Sequence, residues 1–396
     1  LAGEDRYARY ARAVHGRTLA YAASLIPEVT DQPAAADRAM RCGYNWDLGP
    51  FEMIDRLGAR RLAGLLKAEG MTVPPLLAAA AEQAGFYRTR PDGVDEQIGP
   101  DGGYRPVPRA EGVLTLEAVR RAGARWAGNA SASLWDLGEG VACLELHARN
   151  SVLDLGVLEM VETTLDLVPQ RGAKALVIYN DGPNFAFGAD LGLLLTMAAD
   201  AVQAHAESYI GLVEVGAGLV PAWGGCTELL ARLAADPKRP QGPMPPVSQA
   251  FETIGLAKVS TSAFEARELG FLTAADGITF NRDRLLADAR ARALELAEGY
   301  HPPAPRRLTL PGPSGRAALG LALDALAAKG LASAYDQVVA GALAEVLSGG
   351  TADLTEPVSE ATTLALERAA FMRLIRKEAT LQRIEHLLET GKPLRN

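Results

Sequence analysis

Two short runs rich in Val, Leu, Ile and Tyr, GVACLELHA at residues 140–148 and AKALVIYN at residues 173–180, flank the stretch LDLGVLEMVETTLDLV. Short runs of such residues read as strands, and the intervening sixteen residues have the length and patterning of a helix. A helix between two strands is how a chain returns to lie parallel beside the strand it left. A third candidate strand, SYIGLVE, leads into glycines and a proline and then into the helical CTELLARLA. The middle of the chain is therefore α/β.

The flanks differ. Residues 4–85 show helical spacing throughout, with Tyr7, Tyr10, Val14 and Leu19 along one side of a first helix. In Gly49-Pro50-Phe51-Glu52 the proline suits the first turn of a helix and the glycine the bend before it. No strand signal interrupts this block, which predicts an all-α domain over residues 1–85. Residues 86–112 (FYRTRPDGVDEQIGPDGGYRPVPRAEG) are dense in Gly, Pro and charge without a period, so they are expected to be a linker. Residues 113–396 then form the α/β domain. Helical patterning returns from Asp283, and residues 356–390 read as one or two amphipathic helices forming a helical C-terminal extension.

Composition narrows the possible functions. The 396 residues carry 40 basic and 48 acidic side chains, and a net charge of −8 offers no field to attract a phosphate backbone. Nucleic acid is thus not an expected partner. The longest apolar stretch, through Leu193, Leu194 and Leu195, stops short of the roughly 20 residues that span a bilayer. Three scattered cysteines, Cys42, Cys143 and Cys226, fit a reducing compartment better than a disulfide framework. A cytoplasmic location is expected. The chain begins at a leucine inside a helical pattern, which reads as an N-terminal truncation.

Most site constellations are missing from the sequence. Only His147 lies within four residues of a cysteine, Cys143, and one such pair does not make a zinc site. There is no G-x-S-x-G elbow or phosphate-binding P-loop, and Gly216-Ala217-Gly218 lacks the third glycine of a dinucleotide fingerprint. Two segments remain. In the first, Asn184-Phe185-Ala186-Phe187-Gly188-Ala189-Asp190-Leu191, small residues after a strand leave backbone N–H groups able to face a ligand; an ordinary tight turn is the plainer reading. The second, ESYIGLVEVGAGLVPAWGG, sets Glu214 among apolar neighbours at the expected end of a strand. Such a carboxyl has a raised pKa suited to acid–base work, or else it merely caps the backbone that follows; spacing alone does not separate the two.

Together these segments resemble the crotonase (enoyl-CoA hydratase/isomerase) family. FAFGADL is similar to its first oxyanion-hole turn, EVGAGLVPAWGG to the segment that starts at a catalytic glutamate, and AFEARELGFL to a later helix-to-strand turn. The resemblance covers residues 133–396. RAMRCGYNWDLGPFEMID resembles the helical C-terminal domain of 3-hydroxyacyl-CoA dehydrogenases, and the ending TGKPLRN fits the same fusion, that of fatty-acid β-oxidation proteins. The resemblance implies an acyl-CoA substrate that brings coenzyme A with it. The reaction implied is hydration of a trans-2-enoyl-CoA, or migration of a 3-enoyl double bond. The Ala189 N–H would then be an oxyanion donor and Glu214 an acid/base group, with Phe187, Gly188, Asp190, Pro221 and Trp223 against the substrate. Arg149 would meet a CoA phosphate, although a solvated arginine is the plainer reading. No cofactor is expected on this chain, NAD belonging to a dehydrogenase domain that would precede it, and a homo-oligomer is expected.

The sequence departs from the family at one place. Crotonases carry a glycine-rich turn with a second glutamate between the two motifs, and neither is present here. Only nine residues, Gly192 to Asp200, separate the first motif from AVQAHAE, too few for a crossover to a neighbouring parallel strand. Either residues are omitted near positions 198–201 or a deletion has occurred; omission is preferred, because a deletion would strip a core strand from its neighbours. The competing functional reading is a non-catalytic domain of the same fold that binds CoA esters or acts as a scaffold.

Overall fold

A computed structural model describes residues 5–44, 46–91, 94–108, 111–182, 185–186 and 201–396. The chain divides into two units, at residues 1–111 and 112–396.

Among the described residues the first unit holds five helices, α1 (Arg6–Ser24), α2 (Pro33–Tyr44), α3 (Pro50–Leu57), α4 (Ala59–Ala68) and α5 (Pro75–Glu82). Asp5 starts α1 by accepting hydrogen bonds from the N–H groups of Tyr7 and Ala8. Pro50 opens α3 directly after Gly49, as the sequence indicates. The buried side of α1 is Gly16, Leu19, Ala20 and Ala23, whereas Tyr7, Tyr10 and Val14 stand exposed, so only Leu19 of the expected stripe faces the core.

The expectation of a linker at residues 86–112 needs correction. Strands β1 (Tyr87–Thr89), β2 (Asp95–Ile98) and β3 (Tyr104–Pro106) form an antiparallel sheet there. Phe86 and Ile98 are fully buried in the core of the helical unit. Two carboxylates from the helices hold the segment: Asp55 accepts from the N–H groups of Phe86 and Tyr87 at 2.7 and 2.8 Å, and Asp37 accepts from the Tyr87 hydroxyl at 2.6 Å. The glycines and prolines mark the turns between very short strands, and the structure comes from long-range bonds that local composition does not report.

The second unit opens with α6 (Leu116–Arg121) and a mixed sheet in the order β4 (Arg125–Gly128), β5 (Ala132–Asp136), β6 (Val141–Leu146), β7 (Ala175–Tyr179). The first three strands are antiparallel and β7 lies parallel to β6, with Cys143 opposite Val177. Helix α7 (Leu155–Gln170) makes the crossover, capped by Asp154, which accepts from the Val157 N–H at 2.9 Å. The strand–helix–strand unit is thus where the hydrophobic pattern puts it.

The third strand is not. SYIGLVE forms no strand; β8 is the earlier Gln203–His205, parallel to β9 (Gly277–Thr279). Around Ile210 the backbone is satisfied by Ser260 instead, whose hydroxyl accepts from the Ile210 N–H and whose N–H donates to the Ile210 carbonyl. Gly211 makes one isolated antiparallel bridge, to Val259. Among the described residues, β7 and β8 each end a sheet, with one edge facing no strand.

Helices α8 (Gly225–Ala235), α9 (Met244–Gly255), α10 (Ala263–Leu269) and α11 (Leu285–Ala297) follow, and α11 packs against both β7 and β8. Helix α10 closes on Gly270 at φ 89°, which gives AFEARELGFL its turn. The C-terminal region is helical, with α12 (Gly312–Ala328), α13 (Ala334–Leu347), α14 (Glu360–Leu374) and α15 (Glu378–Thr390). The class is α/β with a helical C-terminal extension, after a unit in which the described residues up to Glu82 form helices joined by turns. Among the described residues no helix is long and apolar enough to cross a membrane.

Candidate active site

Glu214 lies in a 3-10 turn, Glu214–Ala217, rather than at a strand end. The turn closes on Gly218 at φ 80°, whose N–H bonds to the carbonyl of Val215, while the Leu219 N–H bonds to that of Glu214. Leu212, Leu219 and Val220 are buried around it and Val215 packs on the same core. Its Oε2 atom is buried and, among the described residues, accepts no hydrogen bond. Burial pushes the Glu214 carboxyl above its ordinary value of 4.5, against the smaller opposite pull of backbone N–H groups in the turn. An unsatisfied buried carboxylate oxygen costs stability, and such costs collect where a group has work to do. Among the described residues this oxygen caps no backbone N–H.

Beyond the turn, Pro221 and Ala222 are buried, and the Pro221 carbonyl accepts the thiol of Cys226. Trp223 is 53% exposed and held at φ 62°, a conformation rare for a bulky residue. Gly224, at φ 104°, leads into α8. Pro221 and Trp223 thus share one short segment with Glu214, with the indole presented outward.

The other expected site residues are dispersed or not described. Phe187, Gly188, Ala189 and Asp190 lie outside the described residues, as does Asn184. Arg149 is exposed on a 3-10 turn, Arg149–Ser151, at the carboxyl end of β6. That end is braced by Asn180 at the end of β7, whose amide donates to Ser151 Oγ and to the Phe185 carbonyl at 3.3 and 2.8 Å. Ligands of open α/β sheets bind outside the carboxyl ends of strands, which is the region Arg149 occupies. Of the Cys143 and His147 pair, Cys143 is buried and His147 is exposed and bonded to Ser133 Oγ, and no metal-binding cluster is found among the described residues.

Sequence reasoning missed the residues that hold this segment. Glu367 of α14, fully buried, accepts from the Gly224 N–H at 2.6 Å and from the Thr227 N–H and hydroxyl at 2.5 Å each. Burial lifts its carboxyl to about 7 despite these bonds, and the charge of Glu214 adds to the lift. Thr380 of α15 donates to the Gly218 carbonyl at 3.0 Å, and Arg383 reaches the Val215 carbonyl at 3.5 Å. The signal was available in α14: Thr363, Glu367, Ala370 and Leu374 share its buried face, so a glutamate sits in an apolar stripe.

No protein-family model matches the chain. It is 33% identical over 452 aligned residues to a probable 3-hydroxyacyl-CoA dehydrogenase of Bacillus subtilis (strain 168), covering 99% of this chain and 55% of that protein. A putative fatty acid oxidation complex trifunctional enzyme of Rickettsia felis is 26% identical over 263 residues, 54% of this chain and 34% of its own length. The chain spans between about a third and a little over half of the curated relatives it matches. Since 452 aligned positions exceed 396 residues, at least 56 positions of the Bacillus relative have no counterpart here. Among solved structures, an enoyl-CoA hydratase/isomerase from Pseudoalteromonas atlantica T6c overlaps 67% of this chain and 100% of its own, at a TM-score of 0.41 and 14% identity. An enoyl-CoA hydratase from Bacillus anthracis overlaps 67% and 98%, at 0.30 and 18%. The chain is thus similar over nearly its whole length to a protein named as a probable 3-hydroxyacyl-CoA dehydrogenase, and over about half of it to putative fatty acid oxidation enzymes.

Proposed function

We propose that this chain is the enoyl-CoA hydratase/isomerase portion of a fatty-acid β-oxidation fusion protein, with a crotonase-like site in residues 113–396. The observation that carries the reading is the buried Oε2 of Glu214, which has no hydrogen-bond partner among the described residues, in a carboxyl whose pKa is raised. Water adds across the C2=C3 bond of a trans-2-enoyl thioester, its hydroxyl going to C3 and a proton to C2. Glu214 holds or moves one of those protons at Oε2, where no donor from the described residues competes. The Ala189 N–H takes the role of a donor to the thioester oxygen, whose negative charge grows as the enolate forms. Trp223 and Pro221 flank the acyl chain, and Arg149 faces the CoA phosphates.

NAD has no place in this step. Addition of water to a double bond is redox-neutral and consumes no hydride. In the fusion, NAD belongs to a dehydrogenase domain outside this chain.

The test is hydration of crotonyl-CoA by the purified chain and by Glu214→Gln. The variant is expected to lose about 100-fold or more in kcat, and wild-type activity in it would remove Glu214 from the chemistry. A second reading, a CoA-ester-binding domain without turnover, is favoured by the absence of a second glutamate between the two motifs, that is, between Leu191 and Glu207. Binding of crotonyl-CoA by the wild-type chain with no hydration would select it.

A further inference from the structure

Within the segment that carries Glu214, the Gly218 N–H bonds to the Val215 carbonyl and the Leu219 N–H to that of Glu214. The segment's two ends are fixed by side chains from the helical C-terminal region. At the near end, Thr380 Oγ1 bonds both the Tyr335 hydroxyl, at 2.6 Å, and the Gly218 carbonyl, at 3.0 Å. Arg383, 2% exposed, spans the Val215 carbonyl, Ser333 Oγ, Asn396 Oδ1 and Asp336. At the far end, both oxygens of Glu367 are committed to Gly224 and Thr227. A carboxylate accepting three hydrogen bonds at the start of an eleven-residue helix also meets the positive end of the helix dipole. That offsets part of the cost of burying it, and it explains why a glutamate stands on the core face of α14.

We propose that Glu367 is a positioning residue for Glu214, locking the start of α8 so that, with Thr380 and Arg383 holding the near end, the 214–227 segment keeps Glu214 Oε2 in one place. This rests on the reading of Glu214 as the acid/base group. Glu367 touches no reacting atom; its oxygens are used up by backbone and threonine donors. Its role is geometric, and misplacement of a catalytic group by about 1 Å costs on the order of 100-fold in rate. The helical extension is on this account part of the site rather than a cover for the core.

The experiment compares the full chain with Glu367→Gln and, as a milder variant, Thr380→Val. Glutamine replaces one accepting oxygen by an amide NH2 that faces a backbone N–H, while valine removes only the hydroxyl that reaches Gly218. With crotonyl-CoA as probe, each is expected to lower kcat about tenfold or more while KM stays within about threefold. In a Glu214→Gln background the Glu367→Gln change is expected to cost almost nothing further, because the group it positions is gone. An equal loss in both backgrounds, or a rise in KM at unchanged kcat, overturns the proposal. Amide hydrogen exchange supplies an arm that does not depend on activity. The Gly224 and Thr227 amides should exchange at least about tenfold faster in Glu367→Gln, and the Gly218–Leu219 region faster in Thr380→Val. Unchanged exchange sinks the clamp whatever the reaction. A wild-type chain that fails to hydrate crotonyl-CoA sinks the functional reading and leaves the exchange result to decide the clamp.

Discussion

Arg383 and Asp336 form an ion pair at 2.9 Å in which the arginine is almost wholly buried and the aspartate is not. Asp336 also caps its own helix, since its carboxylate accepts from the Ser333 N–H while the Ser333 hydroxyl accepts from the Asp336 N–H. Burial tends to raise the Asp336 carboxyl, but the Ser333 N–H and the guanidinium outweigh it and hold the carboxyl below its ordinary 3.8. A depressed folded value means stability that is present above the unfolded value and lost as pH falls through the folded one. Arg383→Met is therefore expected to lose about 3 kcal/mol at neutral pH by denaturant titration, and to show a shallower loss below about pH 4 than the wild type.

Glu214 gives the opposite sign. Its folded carboxyl is raised by burial, so the native state prefers it protonated, and the stability it contributes is present below 4.5 and lost as pH rises through the folded value. Glu214→Gln removes that loss. The variant is expected to be more stable than the wild type at pH 8, with the difference vanishing near pH 4, in paired thermal melts.

Gly218 combines a left-handed φ of 80° with lack of room. An added Cβ would lie 3.1 Å from Arg383 Cδ and Tyr335 Cε1 and 3.2 Å from Thr380 Oγ1. Gly218→Ala is expected to cost about 1–2 kcal/mol from backbone strain alone. Because the same displacement pushes on the clamp beneath Glu214, kcat for crotonyl-CoA should fall with it.

In the first unit Asp37 accepts from the N–H groups of Phe51 and Glu52 and from the Tyr87 hydroxyl. Burial lifts its carboxyl to about 6, while the Tyr87 hydroxyl pulls it down. Stability from this group is thus present below 3.8 and lost as pH rises towards 6. Tyr87→Phe removes the pull, so the loss should extend to higher pH and deepen; chemical denaturation between pH 4 and pH 8 measures it.

The gene product is expected to exceed the 41.8 kDa of this chain, with a glycine-rich segment and a glutamate near Asp200. Intact mass followed by peptide mapping across Asp200 tests this, and a mass equal to 41.8 kDa would favour the non-catalytic reading.

The parts of the fold legible in the sequence are those whose information is local. Strands β6 and β7 and helix α7 announce themselves by period and length, and Glu214 by its apolar neighbours. Glu367 escaped because its partners lie 140 and 143 residues away, and because a glutamate in an amphipathic helix is ordinarily assigned to the wet face. The sheet at residues 87–106 escaped for a related reason. Its strands are three or four residues long and are secured by Asp37 and Asp55, carboxylates that the helical pattern marks as surface. SYIGLVE misled because a β-rich composition does not supply a strand partner, and here a serine side chain fills that role.

Strands β7 and β8 lie against one helix, α11, and each turns an edge towards no described strand. A bare edge is a row of unspent backbone donors and acceptors that recruits whatever extended peptide it meets. A strand paired along either edge would satisfy those groups. A polypeptide with both edges bare would instead present two templates for self-association. Its concentration-dependent clumping, or freedom from it, is thus a direct readout of whether those edges are covered.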